Sequence, residues 1–298
     1  MRLSVRQKAI TAICLVALSY TFLNVAVRFM NAGFGPFTQV YLRIALGFIL
    51  TWMFFYKEIH PSKFLKISKK DWMLLFLIGT VGYGLAVDFI TLAVLHTKLL
   101  NVSIISTTTP FFVFLFSVLF LRKAFRYTHL FYLVVSFYGI FVIATQSFFG
   151  SLASFGIGDL YALLFAIGVG VYVLGRKYLS HHLNNSEIAV IIMLIAFFSS
   201  FITALIVGEQ LHTAGFFNPL ALFGLLVGGV LVFVTTKLQN FGFEHLNAVV
   251  SSQLMLLQNV FAPILGFVLY HEIILPTDFF GALFVLIGVW TYIKQSPD

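Results

Sequence analysis

The sequence predicts an all-α integral membrane protein of ten transmembrane helices, arranged as two inverted five-helix repeats. Three observations carry that prediction. Of 298 residues, 60% are hydrophobic and 9% charged, whereas a soluble globular domain has about a quarter of its residues charged. Apolar runs of about 20 residues, enough to cross a hydrocarbon core about 30 Å thick, recur along the chain and leave no stretch for a separate soluble domain. The landmarks of the chain also repeat at a shift of 149 residues.

The first run, 8 to 30, follows Arg2, Arg6 and Lys8 and has "ALS" before Tyr20, as a secretory leader would. Its apolar stretch continues to Val27, longer than a leader's core, so it reads as a retained span. The second run, 36 to 56, opens at Pro36 and carries Arg43; the third, 72 to 95, contains "GTVGYGLAVDFITLAVLH" with Asp88. The fourth, 98 to 121, carries "STTTP", Ser106 to Pro110, hydroxyls ahead of a proline whose missing N–H leaves a carbonyl free. The fifth, 127 to 147, is expected at the periphery, the sixth, 158 to 179, begins "GDLYALL", and the seventh covers 186 to 208. The eighth, 218 to 241, holds Lys237 in "VTTKLQNFGF"; the ninth, 247 to 270, carries "SSQLMLLQN"; the tenth, 277 to 294, is again peripheral. Each run is too long and too uniformly apolar for a barrel strand of about ten alternating residues.

At the shift of 149, Gly79 falls on Gly228, His96 on His245, Phe112 on Phe261, Thr128 on Thr277, Gly139 on Gly288 and Gln146 on Gln295. The repeats are read as 1–147 and 158–298, joined by an outside linker at 148–157. A five-helix unit in tandem enters the membrane from opposite sides. The loop charges agree: the five lysines at 57 to 70 correspond to a Lys-free loop at 208 to 217, and "LRKAFR" at 121 to 126 corresponds to "YHEIIL", where Glu272 appears. Fourteen of the 18 Lys and Arg fall on the side of the N-terminus, so the positive-inside rule makes both termini cytoplasmic in a cell membrane. The net charge of +8 thus reports topology and not a nucleic-acid partner. Inverted repeats are a feature of secondary transporters.

The chain also resembles the EamA type of the drug/metabolite transporter superfamily, over nearly its whole length. The first helix has an aromatic eight residues before a basic residue, Tyr20 and Arg28, with Tyr where many members have Trp. The second opens with Pro36 and carries Arg43; the sixth begins Gly158-Asp159 and continues to Gly170, Tyr172 and Arg176. The fourth and ninth helices of the family carry Pro before Glu; here Pro110 is followed by Lys123, and Glu272 is preceded by Asn259. The resemblance implies small-metabolite transport, often export, and leaves the substrate open.

Arg43 lies seven residues into its helix, roughly 10 Å deep at 1.5 Å per residue. Asp88 is at comparable depth in the next helix. An isolated carboxylate there tends to take up a proton, whereas one facing an arginine stays ionised, so an Arg43–Asp88 pair is expected. Lys237, the repeat mate of Asp88, is either functional or reaches out to the cytoplasm. Thr107, Thr108 and Pro110 are expected to meet Gln253, Gln258 and Asn259 near mid-membrane, as interhelical hydrogen bonds or as the lining of a wet cavity. Tyr20, Tyr83 and Tyr172 offer a ring and a hydroxyl to a ligand, and Asn24 on the first helix joins the candidate substrate-binding residues.

No GxxxxGK[ST], HExxH or GxSxG motif is present, which argues against ATP hydrolysis and a membrane-embedded enzyme. Cys14 is the lone cysteine, and no cofactor or metal is expected. The expected partners are a small-molecule substrate and the lipid bilayer, with a proton as candidate coupling ion; a monomer and a homodimer both satisfy the sequence. A site with tyrosines, amides and charges of both signs suits an amino acid or other zwitterion, with organic anions or lipophilic cations as the alternative. A membrane enzyme or a receptor is the remote alternative.

Overall fold

The structure is a computed structural model and describes residues 4–97, 102, 105–121, 127–149, 156–180, 182–211, 213–270 and 275–295. Every regular element among these residues is helical. The first repeat comprises α1 (Val5–Met30), α2 (Pro36–Phe55), the short α3 (Pro61–Phe64), α4 (Lys69–Leu77), a π-helix (Ile78–Gly84), α5 (Leu85–His96), α6 (Thr109–Leu121) and α7 (Tyr127–Thr145). The second comprises α8 (Ile157–Tyr178), α9 (Asn185–Val207), α10 (Pro219–His245), α11 (Ala248–Met255), α12 (Gln258–Tyr270) and α13 (Pro276–Gln295). Among the described residues seven helical spans are long and apolar enough to cross a membrane, with shorter apolar helices at Thr109–Phe120, Leu130–Ile143 and Ala248–Phe261. Lys123, Glu272 and most of the 148–157 linker lie outside the described residues.

Helix ends follow from local chemistry. The Ser4 hydroxyl accepts from the Gln7 amide to start α1, Asn184 accepts from Glu187 to start α9, and Asn218 accepts from Leu220 and Ala221 to start α10. Each satisfies an amide that the helix leaves without a partner. Gly208, at φ 76°, ends α9 in the left-handed region that glycine enters without steric cost.

The repeat is visible bond by bond. Leu92 and Phe241 carbonyls, 149 apart, contact the Nδ1 atoms of His96 and His245 at 2.8 and 2.9 Å. The helices then close with Thr97 N to Ala93 O and Leu246 N to Gly242 O, again mates. Pairings are exchanged in the same sense: α1 packs on α10 as α8 packs on α5, α6 packs on α8 as α12 packs on α1, while α2 meets α9 and α7 meets α13. The two units are thus related by a pseudo-two-fold.

The register departs from 149 at one place. A Cβ on Gly79 would lie 2.7 Å from Ile195 and one on Gly229 2.7 Å from the Cβ of Leu46. Ile195 and Leu46 are mates at 149, so the contact equivalent of Gly79 is Gly229 and not Gly228, which corrects the sequence alignment. The first repeat has one more residue between this glycine and its histidine. The π-helix absorbs it: the Leu85 amide donates to the Thr80 carbonyl five residues back. π-bulges occur frequently at functional sites.

Large apolar side chains such as Phe54, Phe131, Phe198, Phe279 and Trp290 are exposed on the outside of the bundle, where hydrocarbon replaces water as the neighbour. Inside, one apolar cluster runs through both repeats from Ala9 to Tyr292.

Candidate functional site

Both mid-membrane polar stretches are helix breaks. Turns at 107–108 and 256–257 interrupt the fourth and ninth runs, 149 residues apart. Each is held by matching backbone bonds: Thr108 N to Ile105 O and Leu257 N to Leu254 O, then Phe111 N to Thr108 O and Val260 N to Leu257 O. In the first repeat Pro110 lacks an N–H to continue the ladder. In the second, Asn259 stands in its place and donates from Nδ2 to the Leu256 carbonyl at 3.3 Å. Thr108 donates to Ile105 O at 2.6 Å, and the Gln258 carbonyl accepts from Thr21 of α1 at 3.3 Å. Thr107 and Pro110 are buried, Thr108, Gln258 and Asn259 half-buried. Segment α6 packs on α11, so the two breaks approach each other as their symmetry requires.

Beside them lies a cluster of tyrosines and amides. The π-helix turns Tyr83 toward α8 and α10, its hydroxyl 3.4 Å from the Thr236 hydroxyl. Its ring meets Tyr172 edge-on at 5.8 Å, and Tyr172 meets Phe243 edge-on at 5.3 Å. The Tyr172 hydroxyl donates to Asn240 Oδ1 at 3.2 Å. Tyr20 of α1 lies beside Gln239, with Tyr83, Tyr172 and Arg43 near enough to act on it electrostatically. Gly82 allows the approach: a Cβ there would stand 3.1 Å from the Tyr172 backbone.

Several buried polar atoms have no hydrogen-bond partner among the described residues: Arg43 Nη1, Gln239 Oε1 and Asn240 Nδ2 in this cluster, and both amide atoms of Gln253 on α11. Leaving such a group unpaired costs about 1–3 kcal/mol, so the set as a whole favours a partner that supplies the missing donors and acceptors. Its groups can bond a small polar molecule.

The structure corrects three expectations. No ion pair joins Arg43 to Asp88: both Asp88 oxygens lack a partner, and the Ser200 and Thr203 hydroxyls approach them without closing a hydrogen bond. Arg43 acts on Asp88 electrostatically although the two form no ion pair. Lys237 is not part of the centre; its Nζ pairs with Glu58 Oε2 at 3.0 Å and lies 3.1 Å over the Phe55 ring. Asn24, one turn beyond Tyr20 on α1, is exposed.

Polar bonds between the repeats close both faces. On the lysine-bearing face, Glu58 accepts from Ser186 at 2.6 Å, and buried Glu187 takes the His60 amide at 3.1 Å and Lys63 Nζ at 3.2 Å. Asp71 accepts from the Ser180 amide and hydroxyl at 3.1 and 2.7 Å. Arg176, Asn185 and Glu244 bond one another at 2.8 to 3.2 Å within the second repeat. The Ser186 hydroxyl and Lys237 ammonium hold the half-exposed Glu58 carboxyl below its usual range. On the opposite face, Glu209 accepts from the Phe37 and Thr38 amides at 3.1 and 2.6 Å, a carboxylate at a helix N-terminus.

Thr236, Gln239 and Asn240 were within reach of sequence reasoning, since they flank Lys237 in "TTKLQN". On a helix, positions three and four apart share a face, so Thr236, Gln239 and Asn240 turn inward together while Lys237 faces elsewhere.

Fold and site together define a membrane transporter built of two repeats around a buried polar centre. The model of the EamA-like transporter family matches residues 7–145 and 156–293, and the chain belongs to that family, within the drug/metabolite transporter superfamily. A solved structure titled only "Crystal structure of protein" shares the fold, with TM-score 0.76 at 15% identity over 96% of this chain and 99% of that one. No curated protein matches the sequence.

Proposed function

We propose that this chain is a secondary transporter that exports a small zwitterionic metabolite, an amino acid being the simplest case, by alternating access through a ten-helix bundle with an inverted repeat. The single observation that carries the substrate reading is the unpaired set at the centre. The Arg43 guanidinium N–H suits a carboxylate, the Gln239 and Gln253 amide oxygens suit an ammonium group, and the tyrosine rings provide the intervening apolar surface. The pseudo-two-fold supports alternating access, since two similar halves give two similar ways to open. The lysines at 57 to 70, all on one face, support cytoplasmic termini in a cell membrane.

One observation favours an organic anion instead: Arg43 is not neutralised by Asp88. A thermal-shift series on the purified protein separates the two. Neutral amino acids raising the melting temperature above the matching monocarboxylates supports the zwitterion, because ligand binding to the folded state alone raises apparent stability. Stabilisation by the monocarboxylates alone selects the anion.

A further inference from the structure

Asp88 stands apart from every other buried carboxylate among the described residues. Asp71 accepts from Ser68 and from the amide and hydroxyl of Ser180. Asp159 accepts from Thr97 and the Gly156 amide, Glu187 from His60, Lys63 and Asn184, and Asp278 from Gln146 and the Leu275 amide. Each has the donors an ionised carboxylate needs. Asp88 is 1% exposed and accepts from none.

Its surroundings disfavour a charge. Arg43 acts on it from α2 across space, without an ion pair, and Glu209 acts on it from the end of α9 with the same sign as its own. No other charge among the described residues acts on it, from α8 included. The Thr203 hydroxyl donates to the Ser199 carbonyl at 3.0 Å. The Ser200 hydroxyl, itself fully buried, has no partner. An unpaired buried ion costs several kcal/mol, and a carboxyl so placed takes a proton instead. Arginine has no such recourse and stays charged.

We propose that Asp88 is a proton-binding site, neutral while the bundle is closed, that takes up and releases one proton per transport cycle beside the Ser200 and Thr203 hydroxyls, on the side of Glu209. The chemistry is a protonation alone: the carboxylate gains a proton from water at one face and returns it to water at the other. Ser200 and Thr203, three residues apart on α9, flank Asp88, and Glu209 follows just beyond the end of that helix. Opening there admits water, hydrates the carboxyl and lets it release its proton to that side; opening on the opposite face brings the water that returns one. The role as a coupling site rests on the transporter reading, while the protonation state does not.

The test is infrared spectroscopy of the purified chain in lipid nanodiscs at neutral pH, with no substrate added. Wild type is expected to show a carboxylic-acid C=O stretch, shifted in D2O, that disappears in Asp88→Asn. Should Asp88→Asn fail to fold, Asp88→Glu serves instead and is expected to move the band. A spectrum in which no carboxylic-acid band answers to position 88 overturns the proposal. Because no substrate is present, failure here leaves the zwitterion reading untouched, and failure of that reading shows only in ligand binding or flux.

Discussion

Gly139 of α7 and Gly288 of α13 are repeat mates, and each closes the same contact from its own side. A Cβ on Gly139 would lie 2.8 Å from the Phe284 Cβ and 2.8 Å from the Val285 amide; one on Gly288 would lie 2.9 Å from the Ser136 amide and 2.9 Å from the Tyr132 carbonyl. Tyr132 and Ser136 are themselves the mates of Gly281 and Val285. The contact is therefore two-fold symmetric and backbone-lined on both sides, so neither helix can give way to a side chain.

Gly288→Val should accordingly lower stability by about 1–3 kcal/mol, the usual cost of overpacking. Thermal unfolding in detergent measures it. Gly156→Ala, where the nearest atom to an added Cβ is 3.9 Å away, should change little. Equal melting temperatures for both variants would mean that α7 and α13 do not pack this closely.

Tyr172→Phe removes the donor to Asn240 Oδ1 and leaves both ends of that buried amide unpaired. The expected loss is about 1–3 kcal/mol. Pairing it with Asn240→Leu should restore much of that loss, because replacing both partners by apolar groups is nearly neutral. A double variant no more stable than Tyr172→Phe would place the hydroxyl's partner elsewhere.

At the lysine-bearing face the expected pH effect has a definite sign. Glu58 titrates below its usual value in the folded chain, so its bonds to Ser186 and Lys237 stabilise the closed form at neutral pH and lose that contribution as pH falls through the carboxylate range. The side chain is 50% exposed, which keeps the effect small. Glu58→Gln should flatten the acid side of the melting-temperature profile. An unchanged acid limb would remove Glu58 from the closure.

Much of the architecture could be read from the chain because hydrocarbon forces long apolar helices, and because 149 is a single register that aligns His96 with His245 and Gly139 with Gly288. The π-helix could not be, since one extra residue in "IGTVGYG" leaves hydropathy unchanged and appears only as the shift from Gly228 to Gly229. The site was half legible. Tyr20, Arg43, Tyr83, Tyr172 and Gln253 stand out as polar or amphipathic groups in apolar runs. Depth along a helix does not give azimuth, however, and that is why Arg43 and Asp88 share a level without touching, and why Lys237 drew attention from Thr236, Gln239 and Asn240.

The central claim is that a small zwitterion is held at Arg43 while it crosses the membrane. Flux of labelled neutral amino acids in proteoliposomes, wild type against Arg43→Gln, tests it most directly. The substitution removes a buried charge that has no ion-pair partner, so folded protein should be retained. The account predicts net, chemically unchanged flux in wild type and its loss in Arg43→Gln at equal melting temperature; equal flux through both would contradict it.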